Sequence, residues 1–198
     1  MSGAMPPRLR TRVNHEVTRL STAVEATAEA FYRRYAYPDR LAHHSRLVGR
    51  IATVLAGRAR GVDRRTVALA GYLHDVGRSP LLRDDPREHH ELSLLALAAE
   101  GLADAGELAL RHPVYAVLDE ATRPRTLPER IVFYADRRGG MEILPMEARI
   151  TETAERHPRY AAEIERSRPL AREIERGLSA ELDLRPEDLA AEVAARWP

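Results

Sequence analysis

The sequence predicts an all-α fold, and three observations carry that expectation. Apolar residues recur at spacings of three and four in one segment after another, capping and breaking residues bracket those segments, and no run alternates apolar with polar. At 198 residues the chain suits one compact domain with room for an extension. Apolar residues make up 44% and charged residues 31%, enough to build a core and too much for a disordered polymer.

Val17, Leu20, Val24, Ala28, Phe31 and Tyr35 fall on one stripe of a first long helix ending near Pro38, able to pack on the domain or pair with a second copy. A second helix is expected over residues 39–55, with Leu47, Val48, Ile51 and Leu55 on its apolar face and Gly57 beyond its end. Asp63 is a good N-cap for a third, carrying Val67, Ala70 and Gly71 inward and stopping at Gly77, before Pro80. Asp85 and Pro86 read as the cap and first turn of a fourth, with Leu92, Leu95, Ala96 and Ala99 inward and Gly101 as terminator. A short helix should reach His112. Thr126 and Glu129 form a capping-box pair for a helix bearing Ile131, Val132 and Ala135, which Gly139 and Gly140 end. Pro145 opens another with Met146, Ile150 and Ala154 in phase, and the last forty residues read as charged helix interrupted by Pro158, Pro169 and Pro186. The expected division is an arm and amphipathic helix over residues 1–36, a central domain over 37–160 and a charged helical extension over 161–198.

Composition excludes several kinds of chemistry. The net charge is +1, which supplies no broad field for nucleic acid or an anionic membrane. The longest uncharged apolar run, residues 92–99, is far short of the roughly 18 to 20 residues of a membrane span, and the arginines near the N-terminus precede no apolar stretch, so a cytoplasmic location is expected. With no cysteine, thiolate metal sites and a cysteine nucleophile are excluded, and any metal must be held by nitrogen and oxygen. Every basic residue among Lys and Arg is arginine, so no Schiff-base lysine exists and phosphate contacts must come from arginine, histidine or backbone amides. Abundant alanine and arginine fit a high-GC bacterial genome.

The eight histidines are informative through the faces they occupy. His44 precedes Val48 by four and Ile51 by seven; His74 follows Gly71 and Ala70 by three and four, with Asp75 about 100° further round. His89 precedes Leu92 by three, His112 follows Leu108 by four and Asp136 follows Val132 by four. A small error of phase would exchange His43 for His44 or His90 for His89, while His15 and His157 read as solvated. A buried imidazole or carboxylate without a partner costs several kcal/mol, so six of them pointing inward from five helices call for a divalent cation that neutralises and joins them. Such ligands suit Mn, Fe, Co, Ni or Zn rather than calcium or magnesium.

The stretch His44-Ser45, then Leu73-His74-Asp75-Val76-Gly77-Arg78, then Tyr134-Ala135-Asp136, resembles the HD-domain superfamily of metal-dependent phosphohydrolases over residues 37–160. That resemblance implies a helical bundle in which His44, His74, Asp75 and Asp136 are the primary ligands. His89 and His112 stand where dinuclear branches carry two further histidines, so one or two ions are implied. The Gly-Tyr-Pro signature of the cyclic-dinucleotide phosphodiesterases is not present, and Arg78 replaces the usual lysine; it keeps the charge and forks onto phosphate oxygens.

The implied reaction is hydrolysis of a phosphoester or phosphoanhydride in a small nucleotide-like molecule. Asp75 and His74 are the catalytic candidates, Asp75 bridging two ions where two are bound, and Arg78 the phosphate contact. Arg111, Arg130, Arg137 and Arg138 flank the inward positions. Rival readings keep the site but make the protein a di-iron oxygenase, or a nucleotide-binding regulatory module without turnover. A homodimer through the first helix is also expected.

Overall fold

The computed structural model describes residues 7–197, with side chains from residue 21 onward. Among the described residues the fold is all-α: α1 (Pro7–Arg34), α2 (Asp39–Arg58), α3 (Arg64–Leu73), α4 (His89–Ala99), α5 (Ala103–Leu110), α6 (Leu127–Asp136), α7 (Met146–Arg156), α8 (Ala161–Leu182) and α9 (Leu189–Ala194), joined by short 3-10 turns. One isolated bridge, Gly139 to Ile143, is the extent of β pairing among them.

Helices α2 and α3 form the centre. Asp63 caps α3 as expected, its carboxylate accepting from the backbone N–H of Arg65 at 2.9 Å and Thr66 at 3.4 Å. The helices approach so closely that a Cβ on Gly49 would fall 2.2 Å from the buried Tyr72 ring. Val24, Ala28 and Phe31 of α1 are buried, so the described half of the predicted stripe is covered within the chain, mainly by α3. Glu25 fastens it by accepting from Arg50 Nε and from the Tyr72 hydroxyl, each at 2.9 Å. Val17, Leu20 and His15 lie outside the described side chains.

Several boundaries differ from the sequence expectation. Helix α2 runs through Gly57 to Arg58, because packing of Val54, Leu55 and Ala56 carries it past a residue that elsewhere ends helices. Helix α3 stops at Leu73, four residues before Gly77, and the chain turns through Asp75 into a 3-10 turn at Val76–Arg78. Helix α4 starts at His89, not after Asp85-Pro86. Glu88 and Glu91 form a reciprocal capping box there, while Asp85 spends its carboxylate on the backbone N–H and side chain of Arg87. Leu95 and Ala99, expected inward, are exposed, and the buried face of α4 is Leu92, Ser93 and Leu97. Helix α5 ends at Leu110, leaving His112 just past its terminus. Thr126 and Glu129 do form the predicted capping box of α6.

Pro169 does not interrupt α8. Its missing N–H removes one hydrogen bond, but Ile164, Ala171 and Leu178 are buried on either side and hold the helix continuous. Together with Leu182, Leu184, Leu189 and Val193 they give residues 161–197 a share of the main core.

Gly77 lies where the turn after α3 meets the start of α4: a Cβ there would fall 1.9 Å from the His89 carbonyl oxygen. Gly77→Ala is therefore expected to lower stability by about 1–3 kcal/mol and to displace His89. Urea unfolding midpoints measure the first effect, and an unchanged midpoint would contradict this packing.

Candidate metal centre

Five helix ends or faces bring the six predicted residues together. His44 projects from α2 on the face of Val48 and Ile51, both fully buried, while His43 faces out and bonds the Met141 carbonyl at 2.8 Å. The phase reading of that pair holds. His74 caps the C-terminus of α3 and its Nδ1 donates to the Gly71 carbonyl at 2.9 Å. His112 repeats this device after α5, with Nδ1 donating to Ala109 at 2.6 Å. A carbonyl only accepts, so each Nδ1 carries a proton, and a ring holding just that proton presents a bare Nε2 to the centre. His89 is the first residue of α4; its carbonyl accepts from Ser93 Oγ at 2.9 Å, and that oxygen accepts from Gly77 N at 2.9 Å, tying α4 to the Asp75 turn. Asp136 is the last residue of α6.

Asp75 divides the cluster. On one side His44 Nε2 lies 3.8 Å from Asp75 Oδ2, 3.3 Å from Asp136 Oδ1 and 3.2 Å from His74 Nε2. His74 Nε2 is 3.6 Å from Asp75 Oδ2 and 3.8 Å from Asp136 Oδ1. On the other side Asp75 Oδ1 lies 3.6 Å from His89 Nε2 and 3.4 Å from His112 Nε2, which are 3.1 Å apart.

This arrangement fits a cation. Ligand atoms about 2.1 Å from one ion are about 3.0 to 3.4 Å from one another at right or tetrahedral angles, close to the spacings found. Bare Nε2 lone pairs and carboxylate oxygens face each other in a buried volume, which is repulsive without a positive charge among them. The His/Asp groups are positioned to hold a metal.

Electrostatics agree. Burial pushes the His74 imidazole down to about 4, against the pull of Asp75 and Asp136, so it is neutral at pH 7. Burial, then the Arg78 charge, likewise lowers His89 well below its ordinary range. Burial would raise both carboxyls, but Arg78 and the imidazoles hold Asp75 well below the usual carboxylate range, and Arg137, His44 and His74 do so for Asp136. Arg137, only 4% exposed, pairs with Asp136 Oδ2 and lies over the Phe133 ring, leaving Asp136 Oδ1 toward the centre.

The centre opens into a cavity of about 410 Å³ lined by Arg40, Arg78, Arg137, Arg149, Arg156 and Arg159. Of the flanking arginines picked out in the sequence, Arg137 is there. Arg111 and Arg130 pair instead with Glu129 at 3.1 Å and Glu181 at 2.7 Å, and Arg138 donates to the Leu144 and Pro186 carbonyls at 2.6 and 2.9 Å. His157, expected in solvent, lines the cavity and is half-buried, because the chain turns back into α8 just after it. Arg149, Thr153 and Arg156 went unnoticed although their spacing of four and three sets them on one face of α7. Tyr115 and Tyr160, with ring centroids 5.1 Å apart, also line the cavity, and no sequence pattern flagged them.

An all-α domain whose helices converge on a buried His/Asp cluster, with an Arg-lined cavity over it, is the architecture of a metal-binding hydrolase-like domain. The chain belongs to the HD domain family, whose model matches residues 41–141, about half the chain and the segment that holds all six residues. That family consists largely of metal-dependent phosphohydrolases. No curated protein and no solved structure matches the chain. Among the described residues no helix is long and apolar enough to cross a membrane.

Folded, metal-free protein keeps His74 neutral down to about pH 4, whereas the unfolded chain takes up the proton near 6.5. The unfolded state thus binds more protons in that window, and stability rises with pH across it; the lowered Asp75 and Asp136 carboxyls act in the same direction. Urea midpoints of chelator-treated protein should fall steadily from about pH 6.5 to about pH 4, and a flat profile would show that the cluster is not buried neutral.

Proposed function

We propose that the protein is a metal-dependent phosphohydrolase that cleaves a phosphoester or phosphoanhydride bond in a small nucleotide-like substrate. The observation that supports this best is the division of Asp75 between two imidazole sets, Oδ2 toward His44 and His74 and Oδ1 toward His89 and His112. In this reading His44, His74, Asp136 and Asp75 would hold one ion, and Asp75, His89 and His112 would hold a second. A bound divalent transition ion (Mn, Fe, Co, Ni or Zn) would supply the Lewis acidity that lowers the pKa of a water toward about 7 and offsets charge on phosphoryl oxygens.

The chain's own groups do the rest. Asp75, ionised and nearly sealed from bulk water, accepts a proton-bearing edge of the attacking water and aims its oxygen at phosphorus. That oxygen forms the new P–O bond and releases its proton to solvent, while the leaving oxygen departs with the electron pair of the broken bond and takes a proton from solvent. His74 acts through its fixed ring, since the Gly71 carbonyl holds Nδ1–H and keeps Nε2 on the centre. Arg78 meets the phosphoryl oxygens, and Arg40, Arg156 and Arg159 hold further anionic groups in the cavity. The Tyr115 and Tyr160 rings add apolar surface to the cavity wall where a base could rest. A nucleotide-like substrate and a chain without cysteine suit a cytoplasmic location.

A phosphate-release screen over a nucleotide panel, run separately with each transition metal and paired with elemental analysis of protein purified without chelator, tests this reading. Asp75→Ala and His74→Ala are expected to lower both metal content and turnover by roughly a hundredfold or more, with helicity by circular dichroism retained. Full metal content and turnover in Asp75→Ala would sink the assignment. Iron-dependent oxygen uptake without phosphate release would replace hydrolysis with oxygenase chemistry, and nucleotide binding without turnover under every metal would leave a regulatory module.

A further inference from the structure

The two halves of the cluster are not equivalent. On the first side the Nε2 atoms of His44 and His74 face each other and carboxylate oxygens, the His112 ring lies beside His74, and the nearest guanidinium, that of Arg149, stands 3.7 Å from Asp136 Oδ1 and donates to neither ring. On the second side the Arg78 guanidinium already stands against the cluster: Nε donates to Asp75 Oδ1 at 2.8 Å and Nη2 donates to His89 Nε2 at 2.9 Å.

An arginine never gives up its proton, so His89 Nε2 must be the acceptor in that contact. An imidazole nitrogen has a single in-plane lone pair, which serves one hydrogen bond or one metal, not both. Asp75 Oδ1 has lone pairs to spare; His89 does not. The His112 ring, fixed by Ala109, turns a bare Nε2 toward His89 Nε2 at 3.1 Å, so this pocket calls for positive charge whichever group supplies it. Arg78 is also free to leave: its side chain is 39% exposed and it lines the cavity above the cluster.

We propose that Arg78 and a second cation compete for His89, so that the centre loads in two unequal steps coupled to anion binding through Arg78. The first ion enters the His44, His74 and Asp136 side without disturbing Arg78. The second must displace the guanidinium from His89. A phosphate group that draws Arg78 up into the cavity removes the competitor, and by linkage phosphate and the second ion tighten each other. The inference rests on the metal-centre reading and adds to it that substrate arrival and completion of the second site are one event.

Titration of chelator-stripped full-length protein with Mn²⁺ alone, followed by calorimetry and by electron paramagnetic resonance of free Mn²⁺, tests the competition without measuring activity. Wild-type protein should show a tight step and a weaker one. Arg78→Met should tighten the second step by about tenfold or more and move the first much less, whereas a general loss of positive charge would tighten both alike. Inorganic phosphate should tighten the second step of the wild type and leave that of Arg78→Met unchanged. An unchanged or weaker second step in Arg78→Met, or an equal phosphate effect in both proteins, overturns the proposal while leaving the centre intact. Absence of any Mn²⁺ step in either protein overturns the metal-centre reading and this inference with it.

Discussion

Carboxylate and imidazole lone pairs converge from five helical elements on a volume almost closed to water, and the rest of the molecule is arranged to hold them there. Such a cluster repels itself unless positive charge enters it. Its geometry therefore has to be enforced from outside, and the enforcement is visible: backbone carbonyls of Gly71 and Ala109 fix two rings, Arg137 holds the far oxygen of Asp136, and the Ser93 hydroxyl ties the Asp75 turn to the start of α4. The close passage of Gly77 beneath the His89 carbonyl belongs to the same frame, since a side chain there would separate the histidine from Asp75.

Arginine does two different jobs in this chain. Arg138 and Arg149 are buried and spend donors on carbonyls, Arg138 on Leu144 and Pro186 and Arg149 on Gly139, so they act as struts between the end of α6 and the segments after it. Arg40, Arg78, Arg156 and Arg159 face the cavity over the cluster, although Arg149 also contributes to its wall. A net charge of +1 conceals this, because a total says nothing of where charges sit. The excess of guanidinium groups around one cavity, next to groups that call for a cation, is the physical ground on which a small anionic ligand is proposed.

Helix α4 and the Asp75 turn show how closely the site and the departures from local expectation coincide. Leu95 and Ala99 lie near Leu92 in helical phase but on the side away from Ser93 and Leu97, and because the buried face of α4 is centred between Leu92 and Leu97 they are left outside it. His89, three residues before Leu92, falls on that buried face wherever the helix begins. Helix α3 likewise breaks off at Leu73, and that early break turns Asp75 so that its two oxygens face different histidines. A continuous helix would have pointed the carboxylate about 100° away from His74.

Residue spacing by itself determined the all-α class, the capped starts of α3 and α6, and the choice of His44 over His43, because a buried helical face repeats every three or four residues and polar groups on it stand out. It also put His44, His74, His89, His112 and Asp136 on inner faces, whereas Asp75, about 100° round from His74, was singled out by the His74-Asp75 pair that carries the family resemblance. Tertiary structure decided the rest: that Asp75 parts the set in two, that Arg78 lies on one half only, that Pro169 is carried inside α8, and that α7 and the turn before α8 bring Arg149, Arg156, His157, Arg159 and Tyr160 over the cluster. Those outcomes depend on how helices distant in sequence meet, and the periodicity of a single helix holds no information about its neighbours.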